Sequence, residues 1–269
     1  MISVDPYSPE WLNNLSDEDK KAVAAGEFIQ HMQNYGGAHV AWIFWRAIHR
    51  LLRVPRIEHN ASAFVLDCGR GPFLVTAGHV LEGFLGHKRA ARCIKSQIGN
   101  LAIDLEERLI DCGTDARIDI ATFHLQSEEI AAIGKQVVAG GENWPPPPAS
   151  GEVVFFGGFP GNQRLALGPK EVSFGLHCAM TPVSDFTVHQ IRCRLDRRNW
   201  VDTRGLGLPL PGYDTGGLSG GPMLAPSYIN GRWSWRLAGV ISESLMHKEY
   251  EVITATRAHF ILPDGRISR

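Results

Sequence analysis

Residues Gly216-Gly217-Leu218-Ser219-Gly220-Gly221-Pro222 place one serine among four glycines. The backbone there is left bare and tolerant of positive φ, so the stretch reads as a loop. A serine that attacks a carbonyl needs an accessible side chain and neighbouring N–H groups that reach the developing oxyanion. Phosphate nests and ordinary turns also use glycine-rich loops containing serine, so the loop alone leaves a nucleophile and a turn both open.

Two upstream segments supply partners for a nucleophile. Ser62-Ala63-Phe64-Val65-Leu66 and Pro72-Phe73-Leu74-Val75 are short β-prone runs separated by Cys68-Gly69-Arg70-Gly71, which reads as a hairpin leading into Thr76-Ala77-Gly78-His79. In Arg117-Ile118-Asp119-Ile120-Ala121-Thr122-Phe123, one acid sits inside an apolar strand-like run and needs a partner if buried. An imidazole that takes a serine proton becomes cationic, and a fixed carboxylate stabilises it and holds its tautomer. His79, Asp119 and Ser219 fit that chemistry. Taken singly, His79 also suits a polar residue closing a strand, and Asp119 a partner of Arg117.

The order histidine, aspartate, serine, with separations of 40 and 100 residues, resembles that of the chymotrypsin-like (trypsin-like) serine peptidases. The resemblance covers about residues 55 to 262. It also rests on Leu237-Ala238-Gly239-Val240-Ile241-Ser242, similar to the strand along which that family's substrates lie extended, and on Val153-Val154-Phe155-Phe156-Gly157-Gly158-Phe159-Pro160, similar to the opening strand of the second barrel in bacterial members.

The resemblance implies an all-β core of two six-stranded antiparallel β-barrels, with an α-helical N-terminal extension. The expected division is an extension over 1–54 and a protease domain over 55–269. Within the domain, the first barrel spans 55–140, a Pro-rich linker 141–150 and the second barrel 151–269. The implied activity is peptide-bond hydrolysis by a serine endopeptidase, with His79 as base, Asp119 as its orienter and Ser219 as nucleophile. The N–H groups of Gly217 and Ser219 would form the oxyanion hole. Tyr213, Asp214, Ser242, Glu243 and Ser244 are the candidate substrate-binding residues, and Arg257 with His259 leaves acidic substrates open. A protein or peptide is the implied partner, with no metal and no cofactor. Other classes are a catalytically silent peptide-binding scaffold, separable by fluorophosphonate labelling, and a serine esterase, separable by comparing ester with amide hydrolysis.

Leu218 stands where animal zymogens of that family carry an aspartate, and the chain has no Ile-Val-Gly-Gly start and no cysteine soon after His79. This fits a bacterial or viral-type member without the zymogen ion pair, its site either permanently formed or controlled by the N-terminal extension.

With a formal net charge of -1, the chain has no general pull toward nucleic acid or anionic membrane. No apolar stretch is long enough to span a bilayer, and Met1-Ile2-Ser3-Val4-Asp5-Pro6 lacks a signal's basic and apolar regions, so a cytoplasmic location is expected. Cys68, Cys93, Cys112, Cys178 and Cys193 are odd in number and lack paired CxxC spacing, which favours reduced thiols. Cys178, Cys193, His177 and His189 could surround zinc, but their intervals also suit strand residues on a barrel wall, which is the reading expected.

Ser16-Asp17-Glu18-Asp19 resembles a capping box, and Ala25, Phe28, Ile29 and Met32 follow at helical spacing until Gly36-Gly37 breaks the pattern. A second helix is expected where Val40, Ile43, Phe44, Ala47, Ile48, Leu51 and Leu52 form a stripe before Pro55, with Arg46, His49, Arg50 and Arg53 opposite. That basic face makes a membrane-surface helix or a docking site for an acidic partner conceivable, but the stripe needs burial and a solvated basic face is commonplace, so packing against the protease body is expected. Trp144-Pro145-Pro146-Pro147-Pro148 reads as a stiff connector between barrels. Val252 to Ala255 reads as a last strand, followed by a helical turn around Arg257 to Ile261.

Overall fold

The computed structural model describes residues 16, 18–19, 22, 26–49, 57–113, 117–140, 151–168, 171–200, 213, 215–229, 232–247 and 249–269. The proline run and Asp214 lie outside them.

The first half is built from α1 (Glu27–His39), β1 (Val40–His49), β2 (Ile57–Asp67), β3 (Pro72–Thr76), α2 (Gly78–Ala90), β4 (Ala91–Ile98), β5 (Leu101–Ala102), β6 (Leu109–Cys112), β7 (Ala121–His124), α3 (Ser127–Ile133) and β8 (Val137–Ala139). The second contains β9 (Val153–Gly158), β10 (Arg164–Gly168), β11 (Glu171–Phe174), β12 (His177–Phe186), β13 (Gln190–Asp196), β14 (Pro222–Ile229), β15 (Arg232–Met246) and β16 (Tyr250–Arg257). A 3₁₀ turn at Ala258–Phe260 follows β16 where the sequence places a helical turn.

The second unit is the expected closed six-stranded barrel, in the order β12-β13-β16-β15-β14-β9. The first departs from expectation. It is an eight-stranded curled half-barrel, ordered β5-β4-β1-β2-β3-β7-β6, with β8 added to β2. Among the described residues, its end strands β5 and β6 do not pair, so no closed six-stranded ring forms. Long β2 shares one edge between two partners, pairing antiparallel with β1 over Ile57 to Phe64 and then parallel with β8 over Val65 to Asp67.

The second expected helix is also corrected, because Val40–His49 is strand β1, paired with both β2 and β4. Its β-branched and aromatic content suits a sheet. Ala41, Ile43 and Trp45 alternate into the core of the half-barrel. On the opposite face Val40 and Phe44 are buried too, and Trp42 stacks on Phe174 with ring centroids 4.6 Å apart. Val40, Ile43, Phe44 and Ala47 of the stripe are thus buried within the chain, as its apolar character required, and Arg46 pairs across the strands with Glu58 at 2.6 Å.

Before β1, Ser16 Oγ accepts from the Asp19 N–H at 3.1 Å, the expected cap contact. Helix α1 then runs through Gly36-Gly37 instead of ending there. Packing explains this: a Cβ on Gly36 would stand 2.9 Å from Cys178 Sγ and 3.0 Å from the Phe155 ring, so the glycine lets α1 lie close against the barrel.

Period-two alternation sorts each central strand between two cores. Ala61, Ala63 and Val65 of β2 face the half-barrel interior, whereas Phe64 and Leu66 face the seam with the barrel. Phe155 of β9 joins that seam, while Val154 and Phe156 fill the barrel with Ile191, Leu218, Ile241 and Ile253. The seam brings the ends of β2 and β3 against the loop that precedes β14.

Candidate active site

Helix α2 begins at Ala77, an N-cap with no side-chain hydrogen bond. Its first-turn N–H groups need acceptors from elsewhere. Asp119 provides one, because Oδ1 accepts from the His79 backbone N–H at 2.8 Å. Its second oxygen, Oδ2, lies 2.7 Å from His79 Nδ1. One carboxylate thus caps the helix and holds the ring, and the positive end of the helix favours its charge. Buried Ile118 and Ile120 anchor the backbone on either side, just before β7.

With Nδ1 donating to Asp119, the neutral ring carries its lone pair on Nε2. The His79 side chain is 47% exposed, so the ring is open on one side. Its pKa is raised above the ordinary histidine value chiefly by the Asp119 hydrogen bond. Burial opposes this rise, and the charges of Asp119 and Glu82 add to it.

Ser219 stands in a tight turn. Leu218 N–H donates to Thr215 O at 3.1 Å and Gly221 N–H to Leu218 O at 3.0 Å. Gly217 and Gly220 adopt φ of 106° and 88°, in the left-handed region. At Gly220 a side chain would also collide with Ser62 O and Thr76 Oγ1. Leu218 is fully buried in the barrel core and anchors the turn from beneath.

The turn is stitched to the half-barrel through Ser62. Ser62 N–H donates to Ser219 O at 2.9 Å, and Ser62 Oγ donates to Gly217 O at 2.7 Å while accepting from Phe159 N–H at 2.8 Å. Ser62 O in turn accepts from Thr76 Oγ1 at 2.7 Å, three residues before His79. The loop carrying Ser219 and the helix start carrying His79 are thereby bound to one fully buried residue. Among the described residues Ser219 Oγ makes no hydrogen bond to His79, so the connection runs through backbone and Ser62. Neither the Gly217 nor the Ser219 N–H has a partner among the described residues.

The candidate substrate-binding residues separate. Strand β15 pairs with β14 only as far as Pro222↔Val240, while its pairing with β16 continues to Met246↔Glu251. The edge from Ser242 to Met246 opposite β16 thus carries no strand among the described residues, leaving room for an extended chain. Ser242 Oγ donates to Thr254 O at 3.2 Å, and Glu243 is exposed. Tyr213 accepts from Gln163 Nε2 at 2.7 Å. Arg257 donates to the carbonyls of Thr187 and Val188 at 3.1 and 3.2 Å, at the end of β15–β16 remote from Ser244, which removes it from this region.

Sequence reasoning passes over two residues. Ser62 carries no local motif, and its role arises only when the seam forms. Glu251 does leave a signal, an acid in alternation with the inward-facing Ile253 and Ala255. It is fully buried, and Oε1 accepts from Ser244 Oγ at 2.6 Å. Burial raises its pKa, opposed by hydrogen bonds from Ser244 and Thr215 and by the charge of Arg197.

All five cysteines are free thiols. Among the described residues, no group of three or more His, Cys, Asp or Glu is placed to hold a metal ion, and no helix is long and apolar enough to cross a membrane.

Neither a protein-family model nor a curated protein matches the chain. Among solved structures, it is similar to a thermostable serine protease, AL20, from an extremophilic microorganism, at 16% identity and a TM-score of 0.46 over 82% of this chain and 91% of that one. It is also similar to the protease Anisep from Arthrobacter nicotinovorans, at 14% identity and a TM-score of 0.45 over 82% and 90% of the two chains. A third similar chain belongs to a structure concerning coupled folding and binding of the intrinsically disordered Sesbania mosaic virus VPg protein, at 13% identity and a TM-score of 0.43 over 83% and 87%.

Proposed function

We propose that this chain is a serine endopeptidase that cleaves peptide bonds through Ser219, His79 and Asp119. The observation that carries the proposal is the two-point grip of Asp119 on His79, through ring Nδ1 at 2.7 Å and backbone N–H at 2.8 Å. It fixes the tautomer and leaves Nε2 as the basic atom.

In the proposed mechanism, Ser219 Oγ attacks the scissile carbonyl carbon as His79 Nε2 takes the hydroxyl proton. The oxyanion accepts hydrogen bonds from the N–H groups of Gly217 and Ser219. As the tetrahedral intermediate collapses, the C–N bond breaks, His79 returns its proton to the leaving amine, and an acyl ester remains on Ser219. Water then attacks that ester, giving up a proton to His79, and the carboxylic acid leaves with Ser219 restored. The substrate backbone lies along the open edge of β15 from Ser242 to Ser244.

Buried Leu218 argues against activation by an ion pair at that position. Deleting residues 1–52, a direct test of control by the N-terminal region, would also remove β1 and its core residues and is therefore a stability experiment. An odd number of cysteines, all free thiols, supports a reducing compartment, and a cytoplasmic location is part of the proposal.

A peptide-library cleavage profile, with Ser219→Ala as control, tests the reading. Discrete cleavage by the wild type and none by the control is expected. Ester hydrolysis without amide cleavage would favour an esterase, and no turnover at all would leave a binding scaffold.

Ser62 is a positioning residue in this account. Ser62→Ala removes the link between Gly217 O and Phe159 N–H, leaving a buried donor unpaired at a cost of about 1–3 kcal/mol. Displacing the oxyanion donors should lower kcat by about a hundredfold with KM within roughly threefold. Steady-state kinetics well below the variant's melting temperature checks this. A loss expressed in KM alone would contradict it.

A further inference from the structure

We infer that Asp111 is a further positioning residue, fastening the segment that follows β16 across strands β6 and β7 so that Asp119 is held in reach of His79. Its kinetic consequences rest on the serine-peptidase reading, whereas the Asp119–His79 contact itself is a feature of the structure. Beyond the 3₁₀ turn, residues 261–269 double back on themselves. Ile261 bridges to Ile267, Leu262 N–H donates to Arg266 O at 2.7 Å, and Ser268 N–H donates to Phe260 O at 2.7 Å. The bend lies flat on the half-barrel: a Cβ on Gly265 would stand 3.0 Å from Ile110 Cδ1 and 3.4 Å from the Phe73 ring.

Two polar contacts fasten the bend. Ile267 N–H donates to Asp111 Oδ2 at 2.9 Å, with Arg269 Nη2 3.5 Å from Oδ1, and Thr122 Oγ1 donates to Gly265 O at 2.5 Å. Asp111 and Thr122 are partners across β6 and β7. Apolar packing acts beside them, since buried Ile261 and Ile267 share one cluster with Ile118 and Ile120, the residues on either side of Asp119. From this clamp the route to Asp119 is short. Gly113, two residues after Asp111, donates its N–H to Ile120 O at 2.9 Å, and a Cβ there would stand 2.0 Å from Ile118 O. At the start of α2, a Cβ on Gly78 would stand 3.4 Å from Cys112 Sγ and 3.1 Å from Asp119 Oδ1. The end of β6 therefore abuts both the backbone that carries the acid and the helix that presents the histidine. Ile267 is buried, so its N–H needs the Asp111 acceptor. Without that acceptor the bend lifts and β6–β7 gains freedom, and a misplacement of about 1 Å is enough to slow a reaction up to about a hundredfold.

The test follows the His79 ring by NMR in the full chain, its resonances assigned by their absence from His79→Ala. Two variants release the bend, Asp111→Ala and Thr122→Val, the second without a change of charge. In each, the His79 pKa should fall from its raised position toward the ordinary value of about 6.5, because a looser Asp119 favours the imidazolium less. The charges acting on His79 are those of Asp119 and Glu82, so loss of the Asp111 charge alone does not produce this fall. On peptide substrate, kcat should drop about tenfold with KM within roughly threefold, and the rising limb of kcat/KM should move to lower pH with the ring. Valine keeps the shape of threonine, so Thr122→Val carries the test where Asp111→Ala fails to fold. An unshifted His79 titration in the folded variants, with only the melting temperature lowered, overturns the inference. Wild-type protein without peptidase activity overturns the peptidase reading instead, and the NMR titration still decides the role of Asp111.

Discussion

Ser219→Ala and His79→Ala should each lower kcat by about a millionfold, and the double variant should be hardly slower than either. In the proposed mechanism the two side chains serve one proton transfer: without the base the hydroxyl stays a weak nucleophile, and without the hydroxyl the base has no proton to take. A residual rate of about a thousandfold over water should persist from the oxyanion donors and from binding. Both variants should fold. Ser219 makes its structural contacts through its backbone, and His79→Ala retains the N–H that donates to Asp119. Steady-state kinetics with circular dichroism measures both points. A loss below about a hundredfold in either variant, or multiplicative losses in the double, would remove these residues from the chemistry.

Asp119→Asn should lower kcat by about ten-thousandfold and reshape the pH profile. In the wild type, the Asp119 hydrogen bond and charge favour the imidazolium, so the His79 pKa lies above the ordinary value near 6.5. The base acts only when deprotonated. Activity must therefore rise with pH through a kcat/KM limb centred above that value. Asparagine brings no charge, and when its amide NH₂ faces Nδ1 it reverses the hydrogen bond and protonates the wrong ring nitrogen. The limb should move to lower pH in Asp119→Asn as the maximum collapses. An unmoved limb would mean that another group controls it.

The hairpin β2–β3, the strands around Leu237 and Val153, and the residues of the His79–Asp119 contact were legible because each has a local signature. An apolar run, a turn or a polar residue in an apolar setting is visible within a few positions. Strand β1 was not legible, since burial on both faces erases alternation. In Val40-Ala41-Trp42-Ile43-Phe44-Trp45, apolar residues occupy nearly every position, so helical spacings match as readily as strand spacings. The half-barrel was illegible for a different reason: β8 joins β2 in parallel after more than sixty residues of intervening chain, and no local pattern records that pairing. Ser62 and Glu251 share this difficulty. Their weight comes from the atoms that tertiary folding brings to them.

Treatment of the intact protein with a fluorophosphonate, followed by mass spectrometry of its peptides, tests the central claim most directly. The account predicts one adduct per chain, carried on Ser219, absent from Ser219→Ala and formed far more slowly in His79→Ala. No adduct on folded wild-type protein, or one carried by another residue, would contradict it.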